Sequence, residues 1–192
     1  MMRGIIVGIV VLVAAPVGWL TFDWYRTTFG GEPFGEPFAL VDHKGEPITE
    51  AAFRGNPSAV FFGFTHCPEV CPTTLYEMDG WLKQLGSEGE DIRAYFVSID
   101  PERDTPEIMD SYVSNVSDRI TGITGEPDKV AVMAKSFGIY SRKVPLDGGD
   151  YTMDHTASIL LLGRDGDFFG TIAYGENPDT AIAKLKRLEK EG

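Results

Sequence analysis

One short apolar run restricts the possible folds of this chain more than any other feature of its sequence. Residues 59–64 are Ala-Val-Phe-Phe-Gly-Phe, with no polar side chain among them. A run this short is too brief for a helix, and valine and phenylalanine favour strands. A strand without a polar face is typical of the centre of an α/β sheet. We therefore predict a central strand, buried on both faces, over 59–64.

Strand-like and helix-like segments alternate on either side of this run. Further strands are predicted at 38–41, 92–99, 158–162 and 168–174. Helices are predicted at 73–85, from 105 onward, at 127–137 and at 178–189, with a short helical turn at 48–53. Asp165 and Gly166 form a typical hairpin turn between the last two strands. This order predicts an α/β, thioredoxin-like fold with a mixed central sheet.

An apolar segment near the N-terminus predicts a membrane anchor. Residues 4–20 contain no charged side chain, and about 17 apolar residues is the lower limit for a spanning helix. Arg3 precedes the segment, which favours a cytoplasmic N-terminus and an exported C-terminal domain. A cleaved signal peptide and a buried core helix are the alternatives. We predict one transmembrane helix within 1–26, a linker over 27–37 and a folded domain over 38–192.

The charge balance argues against one class of partner. The chain has 29 acidic side chains and 17 Lys or Arg side chains, a formal net charge of −12. Nucleic-acid binding depends on Lys and Arg that neutralise phosphates. We therefore expect no nucleic acid partner, whereas cations and basic proteins remain compatible with this charge.

The only two cysteines, Cys67 and Cys71, closely follow the predicted central strand. At a strand–helix junction, the helix dipole and free backbone amides stabilise a thiolate. Residues at i and i+4 share one helical face, about 5–6 Å apart at Cβ, which suits two ligands of one metal ion. Pro68 and Pro72 would stiffen the loop, and a bend there could close the pair as a disulfide. A redox-active pair and a structural staple therefore remain open beside a metal site.

His155 is the candidate for a third ligand. It lies just before an apolar strand, and a thioredoxin-like layout would make this stretch face the cysteine loop. Two thiolates and one imidazole form a soft site of low coordination number, which suits copper(I) or zinc. Thiolates also suit iron–sulfur clusters. The spacing of these residues does not distinguish zinc from copper.

Three segments resemble a known family. They are 63–72 (GFTHCPEVCP), 97–105 (VSIDPERDT) and 151–156 (YTMDHT). Over residues 55–175 the chain resembles the SCO/SenC family of copper chaperones, with the three segments in the family's order and approximate spacing. Met153 stands where we expect a β-branched residue, a small departure that leaves the candidate ligands intact.

The resemblance implies a thioredoxin fold, a single N-terminal membrane span and one copper ion, Cu(I) or Cu(II), bound by Cys67, Cys71 and His155. It implies assembly of the CuA centre of cytochrome c oxidase, with oxidase subunit II as client. An upstream copper donor or a thioredoxin-like reductant would be a further partner. The N-terminus is not a basic, acid-poor presequence, which favours a bacterial form over a mitochondrial one. We therefore expect a bacterial inner-membrane protein with its C-terminal domain in the periplasm.

Two enzymatic roles are alternatives to copper delivery. A thiol–disulfide reductase would use Cys67 as the nucleophile that reduces cysteines of an oxidase subunit, but it gives His155 no role. A peroxidase is the weaker alternative, because Phe64 stands where the peroxiredoxins have a hydroxyl residue. Whether the chain is an enzyme stays open at this point.

Other polar residues near these segments have predicted structural roles. His43 is expected in a solvated turn, and His66 is expected either to be structural or to support the cysteines indirectly. Asp100 and Asp104 are expected to cap a turn, with a docking loop for a partner protein as the alternative. Asp154 is a candidate for orienting the imidazole beside it.

Overall fold

A mixed sheet of seven strands lies at the centre of residues 33–192, the part of the chain that this computed structural model describes. The sheet strands are β1 (Ala39–Asp42), β2 (Pro47–Thr49), β3 (Ser58–Gly63), β4 (Arg93–Ser98), β5 (Ile120–Thr124), β8 (Ile159–Leu162) and β9 (Phe168–Ile172). A separate two-stranded ribbon consists of β6 (Ser141–Pro145) and β7 (Tyr151–His155).

The strands follow the order β2-β1-β5-β4-β3-β8-β9 across the sheet. Strands β3, β4 and β5 run parallel to one another. Strands β1, β2, β8 and β9 pair antiparallel to their neighbours. The predicted α/β fold with a mixed central sheet is therefore confirmed.

Four α-helices accompany the sheet within the described residues. They are α1 (Val70–Leu85), α2 (Pro106–Ser114), α3 (Pro127–Ser136) and α4 (Pro178–Glu191). The last three begin at a proline, whose φ is preset for the first helical position and whose missing N–H is not needed there. Thr105 caps α2 by accepting from the amide of Ile108, and Asn177 caps α4 in the same way. Short 3-10 turns lie at Glu50–Phe53, Gly86–Gly89 and Asp147–Gly149.

Strand β3 is buried over its whole length. The predicted central strand is therefore confirmed, with bounds one residue earlier than expected. Helix α1 follows it and buries Leu75, Met78 and Leu82 completely. Each such side chain contributes about 1.5–3 kcal/mol relative to an exposed one. The start of α1 lies against the carboxyl end of β3, because Cys71 Sγ would be 2.8 Å from a Cβ atom on Gly63.

The carboxyl ends of β3 and β4 meet at one edge of the sheet. The two strands are parallel, and Gly63 at the end of β3 pairs with Ser98 at the end of β4. The loop over residues 64–69, which we call the cysteine loop, therefore lies beside residues 99–105. In open α/β sheets, this edge is where binding sites form.

Several strands have no local sequence signal, and they were not predicted. In β5 the run Ile-Thr-Gly-Ile-Thr is interrupted by a glycine and two threonines. The ribbon carries Arg142, Lys143 and Asp154, so neither of its strands has an apolar run. Strand β2 directly precedes the short helical turn, where the prediction had helix from residue 48. Pairing with a neighbouring strand stabilises each of these segments, and pairing is not visible in local spacing.

The predicted membrane anchor over 1–26 lies outside the described residues, as does the predicted linker up to residue 32. Residues 33–37 form no helix or strand. Phe34 nevertheless packs against Phe137 and Phe168, with ring centroids 5.5 and 5.1 Å apart. Within residues 33–192, the helices are too short or too polar to cross a membrane.

Candidate metal centre

The two cysteines lie at the carboxyl end of β3 but on different elements. Cys67 is partly buried in the cysteine loop, whereas Cys71 is completely buried in the first turn of α1. The predicted shared helical face does not form, because α1 begins only at Val70. Instead, the amide of Cys71 donates a hydrogen bond to Cys67 Sγ at 3.3 Å. Both cysteines are free thiols.

The environment of Cys67 favours its thiolate. A hydrogen bond from the Cys71 thiol lowers the pKa of Cys67 to about 4, against the opposing effect of burial, and His155 and the Cys71 amide add to the lowering. The same interaction, together with burial, raises the pKa of Cys71 above its usual range. At neutral pH the pair therefore carries one negative charge, and it resides on the more exposed sulfur.

His155 ends β7 and reaches the cysteines from 84 residues away in sequence. Its Nε2 is 3.8 Å from Cys71 Sγ, and its Nδ1 is 2.8 Å from the carbonyl oxygen of Thr156. A carbonyl oxygen only accepts hydrogen bonds, so Nδ1 donates to Thr156, and Nε2 is the ring nitrogen that faces the sulfur. Thr156 therefore orients the imidazole. The expectation that Asp154 does so is wrong, because Asp154 faces Arg142 at 3.6 Å.

The spacing of Cys71 Sγ and His155 Nε2 matches what a metal ion requires. Metal bonds of about 2.3 Å to sulfur and 2.0 Å to nitrogen, at about 120°, place the two donors about 3.7 Å apart. The observed separation of Cys71 Sγ and His155 Nε2 is 3.8 Å. The Cys71–His155 pair therefore fits an ion with little movement. Among residues 33–192, however, no three His, Cys, Asp or Glu side chains already stand in a metal-holding arrangement.

Gly63, the last residue of β3, makes room for Cys71. A Cβ atom at this position would lie 2.8 Å from Cys71 Sγ and 2.8 Å from a ring carbon of Phe96. In the sequence, Gly63 is distinctive only as part of the segment 63–72. A glycine inside a strand of bulky residues was the available signal, because it marks a close approach of another group to the backbone.

Asp104 supports the cysteine loop. Its side chain is fully buried, and its carboxylate accepts hydrogen bonds from the amide and hydroxyl of Thr65 and from the hydroxyl of Ser98, at 2.6–3.3 Å. Burial raises the pKa of Asp104, against the opposing effect of these donors. The turn predicted at this place is present, since the amide of Asp104 donates to the carbonyl of Asp100. Both carboxylates, however, also bind other segments of the chain.

The other two histidines have different surroundings. His66 is exposed in the cysteine loop, with its Nδ1 3.1 Å from Thr65 Oγ1. His43 is not solvated as expected, because only 11% of its side chain is exposed. Its Nδ1 accepts from the amide of Gly122 at 3.1 Å, and its Nε2 faces Asp110 at 3.8 Å. The turn that carries His43 packs on β5, a neighbour that its own sequence does not reveal.

Comparison with known sequences identifies one family. The sequence model of the SCO1/SenC family matches residues 26–190, a range that includes all three segments noted above. "Protein SCO1 homolog, mitochondrial" of Homo sapiens is 38% identical over 151 residues, which cover 77% of this chain and 50% of the human protein. The chain spans about half the length of the curated relatives it matches.

Comparison with solved structures identifies the same family. The structure of Bradyrhizobium japonicum ScoI with copper bound has 43% sequence identity and a TM-score of 0.74, and the match covers 81% of this chain and 99% of that one. The crystal structure of yeast Sco1 with copper bound has 31% identity and a TM-score of 0.76, with 83% and 90% covered. The described part of the chain thus has the fold of these proteins.

Proposed function

The chain belongs to the SCO1/SenC family, and from this premise we propose that it is a copper-binding chaperone for the assembly of cytochrome c oxidase. Its proposed copper ligands are Cys67, Cys71 and His155. The observation that carries the proposal is the 3.8 Å approach of His155 Nε2 to the buried Cys71 Sγ. A structural disulfide staple needs no imidazole at this position.

Copper, as Cu(I) or Cu(II), is the proposed cargo rather than zinc. Thiolates are soft ligands that favour Cu(I), and imidazole suits both metals. Two similar solved structures contain copper, which favours the same metal here. Binding requires Cys71 to lose its proton. In the metal-free protein, the neighbouring Cys67 thiolate and the burial of Cys71 both disfavour that loss. Copper uptake should therefore release about one proton from Cys71 at neutral pH.

The unequal exposure of the two sulfurs suggests how copper enters and leaves. Cys67 lies in a loop whose neighbours Pro68 and Glu69 are exposed, whereas Cys71 is completely buried. A thiolate of a partner can therefore reach copper from the Cys67 side and exchange with that ligand first. Proposed partners are an upstream copper donor or a thioredoxin-like reductant on the way in, and the CuA site of oxidase subunit II on the way out.

The proposed location is the bacterial inner membrane, with the C-terminal domain in the periplasm. The support is the uncharged segment 4–20 after Arg3. A tag placed after Gly192 should be digested by protease added to cells with a permeabilised outer membrane. Complete protection of that tag until the inner membrane is lysed would overturn both this location and delivery in the periplasm.

A thiol–disulfide reductase is the second candidate, and the surroundings of Cys67 favour it. This sulfur is partly exposed and its pKa is about 4, as in an attacking cysteine. Its thiolate would attack a client disulfide, and Cys71 would then displace the client. The pair would end as a Cys67–Cys71 disulfide, and the client would gain two electrons and two thiols. This reaction does not use the imidazole of His155.

Copper binding can be tested on the purified, reduced full chain. We expect one copper per chain, measured by metal analysis, and a Cu(I) affinity measured by competition with a chromophoric chelator. Cys67→Ala, Cys71→Ala and His155→Ala should each weaken binding at least about tenfold. The matched control is His66→Ala, which removes an exposed imidazole from the same loop and should bind copper like the parent. If His155→Ala bound both Cu(I) and Cu(II) as tightly as the parent does, the three-ligand proposal would be refuted.

A cellular assay separates delivery from reduction. Cys67→Ser and His155→Ala are compared in cells that lack the parent chain, and oxidase activity is scored at limiting copper. Copper delivery predicts that both variants fail and that added copper partly restores activity. Full activity with His155→Ala but not with Cys67→Ser would favour the reductase.

A further inference from the structure

The loop over residues 100–104 contacts two segments that are far apart in sequence. It follows β4 at the same edge of the sheet as the cysteine loop. On one side, Asp104 holds the cysteine loop through the hydrogen bonds described above. On the other side, Arg103 contacts Tyr151, the first residue of β7, whose last residue is His155. One short loop thus connects the two segments that carry the proposed ligands.

Contacts with Asp100 and Arg103 hold Tyr151 in place, beside the Lys143 ammonium, which lies 4.6 Å from its ring centroid. Its hydroxyl donates to Asp100 Oδ1 at 2.7 Å, and its carbonyl oxygen accepts from Arg103 Nη1 at 2.9 Å. The Arg103 guanidinium also lies over its ring, 3.8 Å from the centroid. Arg103 in turn donates to Asp100 through Nε. The side chain of Asp100 is fully buried and that of Arg103 is 17% exposed, so these charged hydrogen bonds are largely shielded from water.

The ribbon depends on such contacts because it is not part of the main sheet. An isolated two-stranded hairpin is marginally stable in water. Register places Tyr151 opposite Pro145 at the turn end and His155 opposite Ser141 at the base. The base is held by hydrogen bonds between Tyr140 and Thr156. Arg103 and Asp100 hold the turn end through largely buried contacts, and an exposed ion pair between Glu102 and Lys143 adds to them, so the ribbon is fixed at both ends.

We infer that Arg103 is a positioning residue for copper binding: it clamps the ribbon at Tyr151, so that His155 stays opposite Cys71. Loss of the clamp lets the ribbon open and close, and His155 then spends part of its time away from the sulfur pair. Copper would be held mainly by the two cysteines in that state. The consequence for copper rests on the proposed function, whereas the clamp itself is a property of the metal-free chain.

The clamp is tested first without copper, by amide hydrogen exchange on the reduced full chain. In Arg103→Ala the amides of residues 141–155 should exchange about tenfold faster or more, because hydrogen bonds to a charged group are lost. Amides of β3 and β4 should be unchanged. The matched control is Arg142→Ala, which removes the same charge from an exposed ion pair on the same ribbon and should exchange like the parent. Arg103→Lys, which restores the charge, should recover part of the protection.

The effect on the site is then measured with copper alone as the probe. Arg103→Ala should lower Cu(I) affinity about tenfold and weaken the nitrogen hyperfine coupling in the electron paramagnetic resonance spectrum of the Cu(II) form. Arg142→Ala should match the parent in both, and His155→Ala should lose the coupling altogether. If Arg103→Ala fails to fold, as judged by circular dichroism, Tyr151→Phe decides, since it removes only the hydroxyl and should show the same changes to a smaller degree.

Two results would overturn the inference. One is that the ribbon amides of the folded Arg103→Ala variant exchange at the rate of the parent. If Arg103→Ala does not fold, the same result with Tyr151→Phe would count. The other is a parent-like copper spectrum and affinity despite faster exchange, because the ribbon would then not position His155. Failure of the parent chain to bind copper at all is a separate outcome. It would refute the proposed function, while the hydrogen-exchange result would still decide whether the clamp exists.

Discussion

Replacement of Gly63 by alanine should damage both the stability of the chain and its copper site. The added Cβ would lie 2.8 Å from Cys71 Sγ and from the Phe96 ring, about 0.7–1.2 Å short of ordinary packing distance. Overpacking of this kind costs about 1–3 kcal/mol. The reduced backbone entropy of the unfolded chain favours alanine by about 0.4–1 kcal/mol. The steric cost is the larger of the two, so we expect a net loss of about 1–2 kcal/mol.

Thermal unfolding and copper competition measure the two effects. For a chain of this size, about 1 kcal/mol corresponds to about 2–4 °C in Tm, so Gly63→Ala should lower Tm by about 2–8 °C. Displacement of Cys71 Sγ from His155 should lower Cu(I) affinity about tenfold. The matched control is Gly170→Ala in β9, where nothing lies within 4 Å of the added Cβ. The reasoning is refuted if Gly63→Ala has the Tm and the copper affinity of the parent.

The same region yields three more tests. Cys67 should react with iodoacetamide at a nearly constant rate down to about pH 5 and more slowly below, because a pKa of about 4 keeps its thiol ionised. The rate is measured by mass spectrometry, and a rate that already declines near pH 8 would contradict this prediction. Oxidation to a Cys67–Cys71 disulfide should abolish copper binding and a dithiol should restore it, since copper needs thiolates; copper retained by the oxidised chain would contradict this. Asp104→Asn should lower the free energy of unfolding by about 1–3 kcal/mol in urea, because the hydroxyls of Thr65 and Ser98 donate to different carboxylate oxygens, and the NH2 group that replaces one of these oxygens cannot accept. The control is Asp118→Asn, because Asp118 is exposed. Equal stability of the two variants would show that the buried carboxylate of Asp104 does not stabilise the fold.

Local pattern was sufficient for elements that carry a continuous signal. The apolar run of β3 and the proline-initiated helices were predicted because neighbours along the chain decide them. Strand β5 was missed because Gly122 and its threonines weaken the run, and it forms by pairing between β4 and β1. The ribbon was missed because its charged residues are held by a turn and by the loop over 100–104. That loop is too far away in sequence to appear in a short stretch around the ribbon.

The sequence states which side chains are present, but their surroundings were hard to predict from it. Cys67 and Cys71 were expected on one helical face, but the loop extends to Glu69 before α1 begins. His43 was expected in solvent and is covered by β5. In each case, a neighbour that is distant in sequence decides the surroundings. Burial and hydrogen bonding depend on which segments the fold brings together.

The sequence by itself determined the donors that this chain can offer to a metal ion. Two thiols and an imidazole are chemistry that does not depend on folding, and the three recognisable segments, two of which carry these donors, were enough to predict the family. Only the tertiary structure decided that Cys71 is buried while Cys67 is partly exposed, that Thr156 orients the imidazole, and that Nε2 of His155 stops 3.8 Å from Cys71 Sγ. The reason is that 84 residues separate this sulfur from this nitrogen. Their distance depends on how the ribbon is held beside the edge of the sheet, and no spacing along the chain contains that information.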